Sequence, residues 1–132
     1  MLYNDLLPVF EGCNYKAMNN QFECDLLSKY VSKVIAQSVA LEEGDSTRAN
    51  RLYRDVSKLF EQIVSEGCRH KLLELLDHEE PVVRSKAAFH SLSIDPSKAE
   101  STLEAVSQEP GIVGFNAGMT LSEWRKGNLQ VP

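Results

Sequence analysis

The chain has 132 residues and a net charge of −5, with 42% hydrophobic and 25% charged residues. This length is enough for one domain with its own core, and the composition is typical of a globular protein rather than a disordered one. The negative charge argues against a general nucleic-acid binder, because phosphate binding requires a basic surface.

The beginning of the chain has neither the basic region nor the long apolar stretch of a secretory signal, and no apolar run is long enough to cross a membrane. We therefore expect a cytoplasmic protein without a membrane partner. Cys13, Cys24 and Cys68 are odd in number and lack Cys-x-x-Cys spacing. Reduced, packed thiols are expected, rather than disulfides or a zinc site.

Residues 1–17 mix apolar side chains with Pro8, Gly12 and Asn14. This mixture predicts a short helical turn and a loop, which together cap the first long helix. That helix is predicted from about residue 19 to residue 41, because apolar residues recur there at every third or fourth position without a glycine or proline.

Gly44 is placed to end the first helix in a left-handed conformation, and Asp45 or Ser46 to cap the next one. A second helix is predicted over about residues 49–64 from the same apolar spacing, and it stops near Gly67.

The central segment predicts a helix, a turn and another helix within twenty-one residues. Leucines at four of the five positions 72–76 give the first helix a broad apolar face. The charged run Asp77–Glu80 interrupts that face, and Pro81 suits the first turn of a new helix. Ala87 and Ala88 are small enough to let two helices approach closely.

The third pair is predicted from the next proline. Asp95 followed by Pro96 repeats a capping aspartate with proline at the first helical position, and a short fifth helix follows over about residues 99–106. A sixth helix is predicted over about residues 112–126, with Gly127 as its C-terminal cap.

The sixth helix contains two internal glycines, Gly114 and Gly118, which lower its intrinsic stability. Close packing against the neighbouring pair would explain them. Trp124 is expected in the same apolar stripe as Phe115 and Leu121, and therefore in the core.

The central unit resembles a HEAT repeat, the two-helix unit of α-solenoids. The resemblance is carried by the leucine pairs, the acidic turn, the run Pro-Val-Val-Arg and the following alanines, with Asp77 and Arg84 at that family's recurrent aspartate and arginine positions. Asp77 is expected to cap the second helix, and Arg84 to hold the turn or a neighbouring repeat. The fold class is therefore expected to be all-α, a HEAT-like α-solenoid of about three antiparallel helix pairs in one domain.

The chain also resembles a family of small bacterial HEAT-like proteins catalogued as domain of unknown function twenty-nineteen. The residues that carry this resemblance are Leu72–Leu92, Ala117–Leu121, Trp124, Gly127 and the closing Val131–Pro132. It covers the chain from residue 25 onward and leaves residues 1–24 outside. It implies a small helical stack without known catalytic residues, and a role as an immunity protein beside a bacterial toxin.

No residue spacing predicts catalysis or metal binding. His70, His78 and His90 fit no metal-ligand pattern, and no glycine-rich phosphate loop follows a strand. Surface or capping histidines are expected. We therefore expect neither an enzyme nor a cofactor or metal.

Charge is expected to separate on the folded stack. If successive helices pair, the turns within the pairs lie along one edge and form an acidic rim, while Arg69, His70, Lys71, Lys98, Arg125 and Lys126 lie along the opposite edge. Acidic residues at helix starts are also what the helix dipole favours, so the rim has a purely local alternative explanation. Phe89 and His90 are weaker candidates for partner contact, expected to face outward. The candidate partner-binding residues are Glu42, Glu43, Asp45, Asp77, Glu79, Glu80, Phe89, His90 and Glu109.

Three functions fit the sequence. The first is a non-enzymatic immunity protein that binds a toxin domain with a basic surface, such as a nuclease. The second is a nucleic-acid-binding or DNA-repair protein resembling the HEAT-like glycosylases, for which the chain is short and acidic. The third is a general adaptor.

Overall fold

The computed structural model describes the backbone of residues 13–132 and the side chains of residues 25–132. The described chain is entirely helical, without a strand, which confirms the predicted all-α class. Its elements are α1 Cys13–Glu42, α2 Ser46–Ser65, a 3₁₀ helix Arg69–Asp77, α3 Pro81–Ser91, α4 Pro96–Val106 and α5 Gly111–Arg125.

The first helix begins earlier than the sequence predicted. Helix α1 starts at Cys13, so the loop predicted to reach residue 17 is wrong for residues 13–17. Between Gly12 and Gly44 the sequence has neither glycine nor proline, so no helix-breaking residue prevents the helix from extending back to Cys13. The predicted cap in residues 1–12 lies outside the described residues.

The helix caps predicted at Gly44, Asp45 and Asp95 are confirmed. Asp45 caps α2, and its carboxylate accepts a hydrogen bond from the Arg48 amide at 3.1 Å. Asp95 caps α4 in the same way, with the Lys98 amide at 3.2 Å. Gly44 follows α1 with a φ of 75°, a left-handed conformation that glycine adopts without strain.

The helix predicted over the central leucines is a 3₁₀ helix rather than an α-helix. It buries Leu72 and Leu76, and its ends are closed by tight hydrogen bonds, such as the one from the Lys71 amide to the Cys68 carbonyl at 2.9 Å. A 3₁₀ helix rises about 2.0 Å per residue, so nine residues span roughly the same 16–18 Å as the eleven-residue α3. The tighter winding lets this short segment run the whole length of the helix on which it packs.

Each helix packs mainly on its neighbour in the chain. Helix α1 packs on α2, the 3₁₀ helix on α3, and α4 on both α3 and α5. Helix α3 also contacts α1 on one side and α5 on the other, so α1, α3 and α5 lie side by side. Because short turns connect successive helices, the turns after α1, before α3 and before α5 lie at the same end of the molecule.

The core consists of two large apolar clusters that meet at α3. Tyr30, Val34, Phe60 and Ile63 belong to the cluster between α1, α2, the 3₁₀ helix and α3. The second cluster joins α3, α4 and α5. Cys68 is buried, as expected of a packed thiol, whereas the side chains of Cys13 and Cys24 lie outside the described residues.

The two residues of the HEAT-like motif behave differently. Arg84 holds the turn, as predicted, because its Nη1 donates hydrogen bonds to the carbonyls of His78 at 2.7 Å and Glu79 at 3.2 Å. The prediction that Asp77 caps α3 is wrong. Asp77 ends the 3₁₀ helix, and the cap position belongs to Glu80, whose side chain makes no capping bond.

Helix α5 has two apolar faces, and Phe115 does not share the stripe of Trp124. Phe115 is 66% exposed, whereas Leu121 is buried and Trp124 is half-buried, with its Nε1 donating to Glu100 at 2.9 Å. Phe115 and Trp124 are nine positions apart, which is two and a half turns, so they lie on opposite sides of the helix. The predicted common stripe is therefore wrong.

The internal glycines of α5 also differ. Gly114 packs against the turn that precedes its own helix, because a Cβ at this position would overlap the Glu109 carbonyl oxygen and lie 2.8 Å from the carbonyl carbon. Gly118 has more room, since its nearest neighbour would be Ser107 Cβ at 3.7 Å. Close packing explains Gly114, although the partner is a local turn rather than a neighbouring pair.

Candidate interaction surface

The predicted acidic residues lie in three turns at one end of the helices. Leu41, Val82 and Ile112 all line one cavity. Each of these three residues is close in sequence to one acidic turn, so the turns border the same region. We call this set the acidic rim: it consists of Glu42, Glu43, Asp45, Asp77, Glu79, Glu80 and Glu109.

Most carboxylates of the acidic rim have no partner of opposite charge. Asp45 is used as the α2 cap, and Glu43 lies 3.8 Å from Arg48 in an exposed ion pair. The other five make neither an ion pair nor a side-chain hydrogen bond with any described residue: they are Glu42, Asp77, Glu79, Glu80 and Glu109. All rim side chains are exposed except that of Glu109, which is half-buried.

The basic residues of the opposite edge are mostly paired within the chain. Lys71 lies 3.5 Å from Glu74, and Lys126 lies 3.6 Å from Glu123. Arg125 contacts two carboxylates, those of Glu100 and Glu104, at 3.4 and 3.3 Å.

Arg69 of the same edge is also engaged. It donates to Ser93 Oγ at 2.5 Å and to the Pro132 carbonyl, and it lies over the Phe60 ring at 5.4 Å. Neither Arg69 nor Lys98 has an acidic partner in the described chain, but Arg69 is held by these neutral contacts. The two edges therefore differ, because three of the five cations of the basic edge are paired with described carboxylates, whereas five of the seven rim carboxylates have no partner among the described residues.

A cavity of about 140 Å³ opens between α1, α3 and α5 beside the acidic rim. Apolar side chains form about half of its wall, and hydroxyl and amide groups form most of the rest. Its lining includes Leu41, Ser85, Lys86, Phe89, Asn116 and Thr120.

Lys86 is the one cation among the described residues of this cavity wall. Its Nζ lies 5.1 Å from the centre of the Tyr53 ring and 5.8 Å from that of Phe89, without a carboxylate partner in the described chain. Burial lowers the pKa of Lys86 below its ordinary value. The aromatic rings stabilise the ammonium through cation–π contacts in place of an ion pair.

An exposed apolar stripe on α5 continues the cavity wall. Ile112 is 49% exposed, Phe115 66% and Met119 48%, and their spacing of three and four residues places them on one face of the helix. Ile112 belongs to both the stripe and the cavity wall. The cavity and the stripe therefore form one continuous apolar surface.

His90 does not face outward as predicted. It is 5% exposed, its ring stacks on Phe60 at 4.1 Å, and its Nδ1 shares a 2.7 Å hydrogen bond with the Tyr30 hydroxyl. Burial lowers the pKa of His90 to about 3, and the charges of Lys86 and Arg69 act in the same direction. His90 therefore joins α1, α2 and α3 as a core residue.

Phe89, the other predicted contact residue of α3, is half-buried and lines the cavity.

Of the remaining histidines, His70 is exposed, and His78 accepts a hydrogen bond from the Glu80 amide at 3.0 Å, a local role in the turn. Within the described chain no three histidine, cysteine, aspartate or glutamate residues are grouped as metal ligands. No helix in the described part is both long and apolar enough to span a membrane.

The fold is similar to the crystal structure of the protein RPA1889 from Rhodopseudomonas palustris CGA009. The TM-score is 0.76 and the sequence identity 26%, and the match covers 83% of this chain and 93% of that chain. No family model matches this chain, and neither does a curated protein. The name of the neighbour states no activity, so the similarity bears on the fold.

Sequence reasoning missed the cavity and the stripe. The signal for the stripe was present, because Ile112, Phe115 and Met119 have their own helical spacing, offset from that of Ala117 and Leu121. The cavity had no comparable signal. Its wall is shared by three helices that are far apart in the sequence, and only their packing brings the wall together.

Proposed function

We propose that this chain is a non-enzymatic protein-binding module, a HEAT-like stack of about three helix pairs that belongs to the family of domain of unknown function twenty-nineteen. Its function is that of a cytoplasmic immunity protein, which binds and neutralises a bacterial toxin domain with a basic surface. Nucleases are the toxin class that fits best, because they must present a basic surface to nucleic acid.

One observation carries this proposal: five carboxylates of the acidic rim have no partner among the described residues, while most cations of the opposite edge are paired. A cluster of unpaired, exposed charges contributes nothing to the fold through ion pairs. It does create a negative potential that attracts a basic protein and accelerates association.

The test begins with a tagged pull-down from the native host at physiological salt, followed by expression of the main co-purifying protein alone. The expected result is that this partner arrests cell growth and that co-expression of the present chain rescues it. A harmless partner, or recovery of nucleic acid alone, contradicts the immunity role.

Charge reversal then tests the acidic rim. We expect the combined substitutions Glu42→Lys, Glu79→Lys and Glu80→Lys to slow association with the partner at least tenfold in low salt, because the steering potential is inverted. The control is reversal of the exposed Glu61 and Glu66, which lie outside the rim. Equal association rates for wild type and the rim variant, with circular dichroism showing an intact fold, would exclude the rim as the contact.

Nucleic-acid binding remains the second candidate because of one basic patch. Lys29, Lys33 and Lys58 border a shallow cleft between α1 and α2. Among the residues with described side chains, only Lys33 of these three has a carboxylate partner, Asp55 at 3.4 Å. If this patch binds DNA, affinity falls steeply as salt rises. A salt titration of duplex binding therefore distinguishes this candidate from the immunity role.

A further inference from the structure

We propose that the cavity between α1, α3 and α5 receives an apolar side chain from a basic segment of the partner protein, so that the chain recognises an apolar anchor flanked by lysine or arginine. This inference rests on the proposed protein-binding function and names the chemistry of the segment that it binds.

The size of the cavity fits one anchor side chain. Its volume is about 140 Å³. An apolar cavity of about 150 Å³ accepts a benzene ring, so a phenylalanine or leucine side chain matches the space. Phe89 and Leu41 provide apolar contacts for such a ring, while Asn116 and Thr120 offer hydrogen bonds to the backbone beside it. Concave sites that combine apolar walls with a few placed polar groups are the usual form of a binding pocket.

The flanking charge follows from the acidic rim. Glu42 comes directly after Leu41 of the cavity wall, Glu80 precedes Val82 by two residues, and Ile112 follows Glu109 by three. These three carboxylates have no partner in the described chain. A cation placed beside the anchor therefore meets an unpaired carboxylate.

Lys86 sets which part of the segment enters the cavity. Its ammonium lies in the cavity wall, so a second cation entering there would be repelled. An uncharged anchor is not repelled, and a backbone carbonyl next to it can accept a hydrogen bond from Lys86. The cations of the segment are thereby confined to the rim, where the charge is negative.

The α5 stripe extends this contact. Phe115 is 66% and Met119 48% exposed, and they adjoin the cavity through Ile112. Exposed apolar side chains that form a contiguous patch mark interaction sites on protein surfaces. The partner surface around the anchor is therefore expected to be apolar where it meets α5.

Three capped synthetic pentapeptides test this inference without requiring the native partner. Their sequences are Lys-Lys-Phe-Lys-Lys, Glu-Glu-Phe-Glu-Glu and Lys-Lys-Ser-Lys-Lys. Each is titrated to millimolar concentration into the ¹⁵N-labelled full chain, and the amide resonances of Ser85, Lys86, Asn116 and Thr120 are followed by NMR. We expect only the basic peptide with phenylalanine to shift these amides to saturation, with at least tenfold higher affinity than either of the others.

A cavity-filling variant with a matched control provides the second measurement. Asn116→Trp places a large side chain at the exposed edge of the cavity, whereas Ser101→Trp places the same side chain on the exposed face of α4. We expect the affinity for Lys-Lys-Phe-Lys-Lys to fall at least tenfold in the first variant and to stay unchanged in the second.

Four outcomes overturn the inference. They are absence of shifts at these amides with the basic phenylalanine peptide, equal binding of the acidic peptide, equal binding of the serine peptide, and unchanged affinity in a folded Asn116→Trp variant. The immunity role can fail independently of this inference. If the basic phenylalanine peptide binds at the cavity but the partner is not toxic, only the immunity role is rejected. Conversely, if the toxin binds the Asn116→Trp variant normally but does not bind the variant with the charge-reversed rim, only the inference about the cavity is rejected.

Discussion

The buried His90 predicts a loss of stability in acid whose size follows from its surroundings. Its pKa is lowered from 6.5 to about 3, first by burial and then by the charges of Lys86 and Arg69. In the unfolded chain the imidazole binds a proton below about pH 6.5, whereas in the folded chain it stays neutral until about pH 3. The stabilisation is therefore fully present above pH 6.5 and is lost as the pH falls toward 3.

The magnitude follows from proton linkage. Each pH unit between the two pKa values lowers the free energy of unfolding by about 1.4 kcal/mol. Between pH 6.5 and 4.5 the loss attributable to His90 is therefore about 3 kcal/mol. This is a large share of the roughly 5–15 kcal/mol that stabilises a typical domain.

Urea denaturation followed by circular dichroism, at several pH values from 7.5 to 4.5, measures this loss. We compare the wild type with His90→Phe, which keeps a ring against Phe60 but cannot bind a proton. At pH 7.5 this variant is expected to be about 1–3 kcal/mol less stable, because the buried Tyr30 hydroxyl loses its partner. Its loss between pH 6.5 and 4.5 should be about 3 kcal/mol smaller than that of the wild type.

Two further variants make the comparison specific. His70→Gln removes an exposed histidine and should follow the wild-type pH profile. Adding Tyr30→Phe to His90→Phe removes the unpaired hydroxyl and should recover part of the stability at pH 7.5. If His90→Phe loses as much stability in acid as the wild type does, burial does not keep His90 neutral and the linkage is refuted.

Two other predictions concern α5 and the acidic rim. Gly118→Ala should raise the free energy of unfolding by about 0.5–1 kcal/mol through helix propensity, whereas Gly114→Ala should lower it by about 1–3 kcal/mol because its Cβ overlaps the preceding turn. Thermal denaturation of both variants checks this, and equal effects of the two substitutions would contradict the packing. Glu42→Lys should raise the free energy of unfolding by about 0.3–1 kcal/mol, since a cation suits the C-terminal end of α1, and should at the same time slow partner association. A destabilised variant would contradict the stability part of this prediction, and association at the wild-type rate would contradict the part on partner binding.

The parts of the fold that the sequence predicted correctly depend on local chemistry. Asp45 and Asp95 accept hydrogen bonds from amides three residues later, and Arg84 reaches carbonyls five and six residues earlier. These interactions are set by neighbours in the chain, so residue type and spacing are sufficient to predict them. The helix count and most helix boundaries followed from the same kind of signal.

The errors occurred where packing between distant helices determines the outcome. Helix α3 contacts α1, the 3₁₀ helix, α4 and α5, so nearly its whole surface is covered. His90, which was predicted to face outward, is buried for that reason, and so is the neighbouring Ser91. The cavity depends equally on the relative placement of α1, α3 and α5. No spacing within one helix contains that information.

Packing and capping also leave part of the acidic rim without an explanation. Glu79, Glu80 and Glu109 precede α3 and α5, where the helix dipole favours negative charge by a few tenths of a kcal/mol each. Glu42 is different, because it is the last residue of α1, where the dipole disfavours a carboxylate and no described cation pairs with it. A local origin thus accounts for the turns before α3 and α5 but not for the turn after α1. That turn lies next to Leu41 of the cavity. The proposed basic partner, by contacting both sites, would give Glu42 a role that folding alone does not.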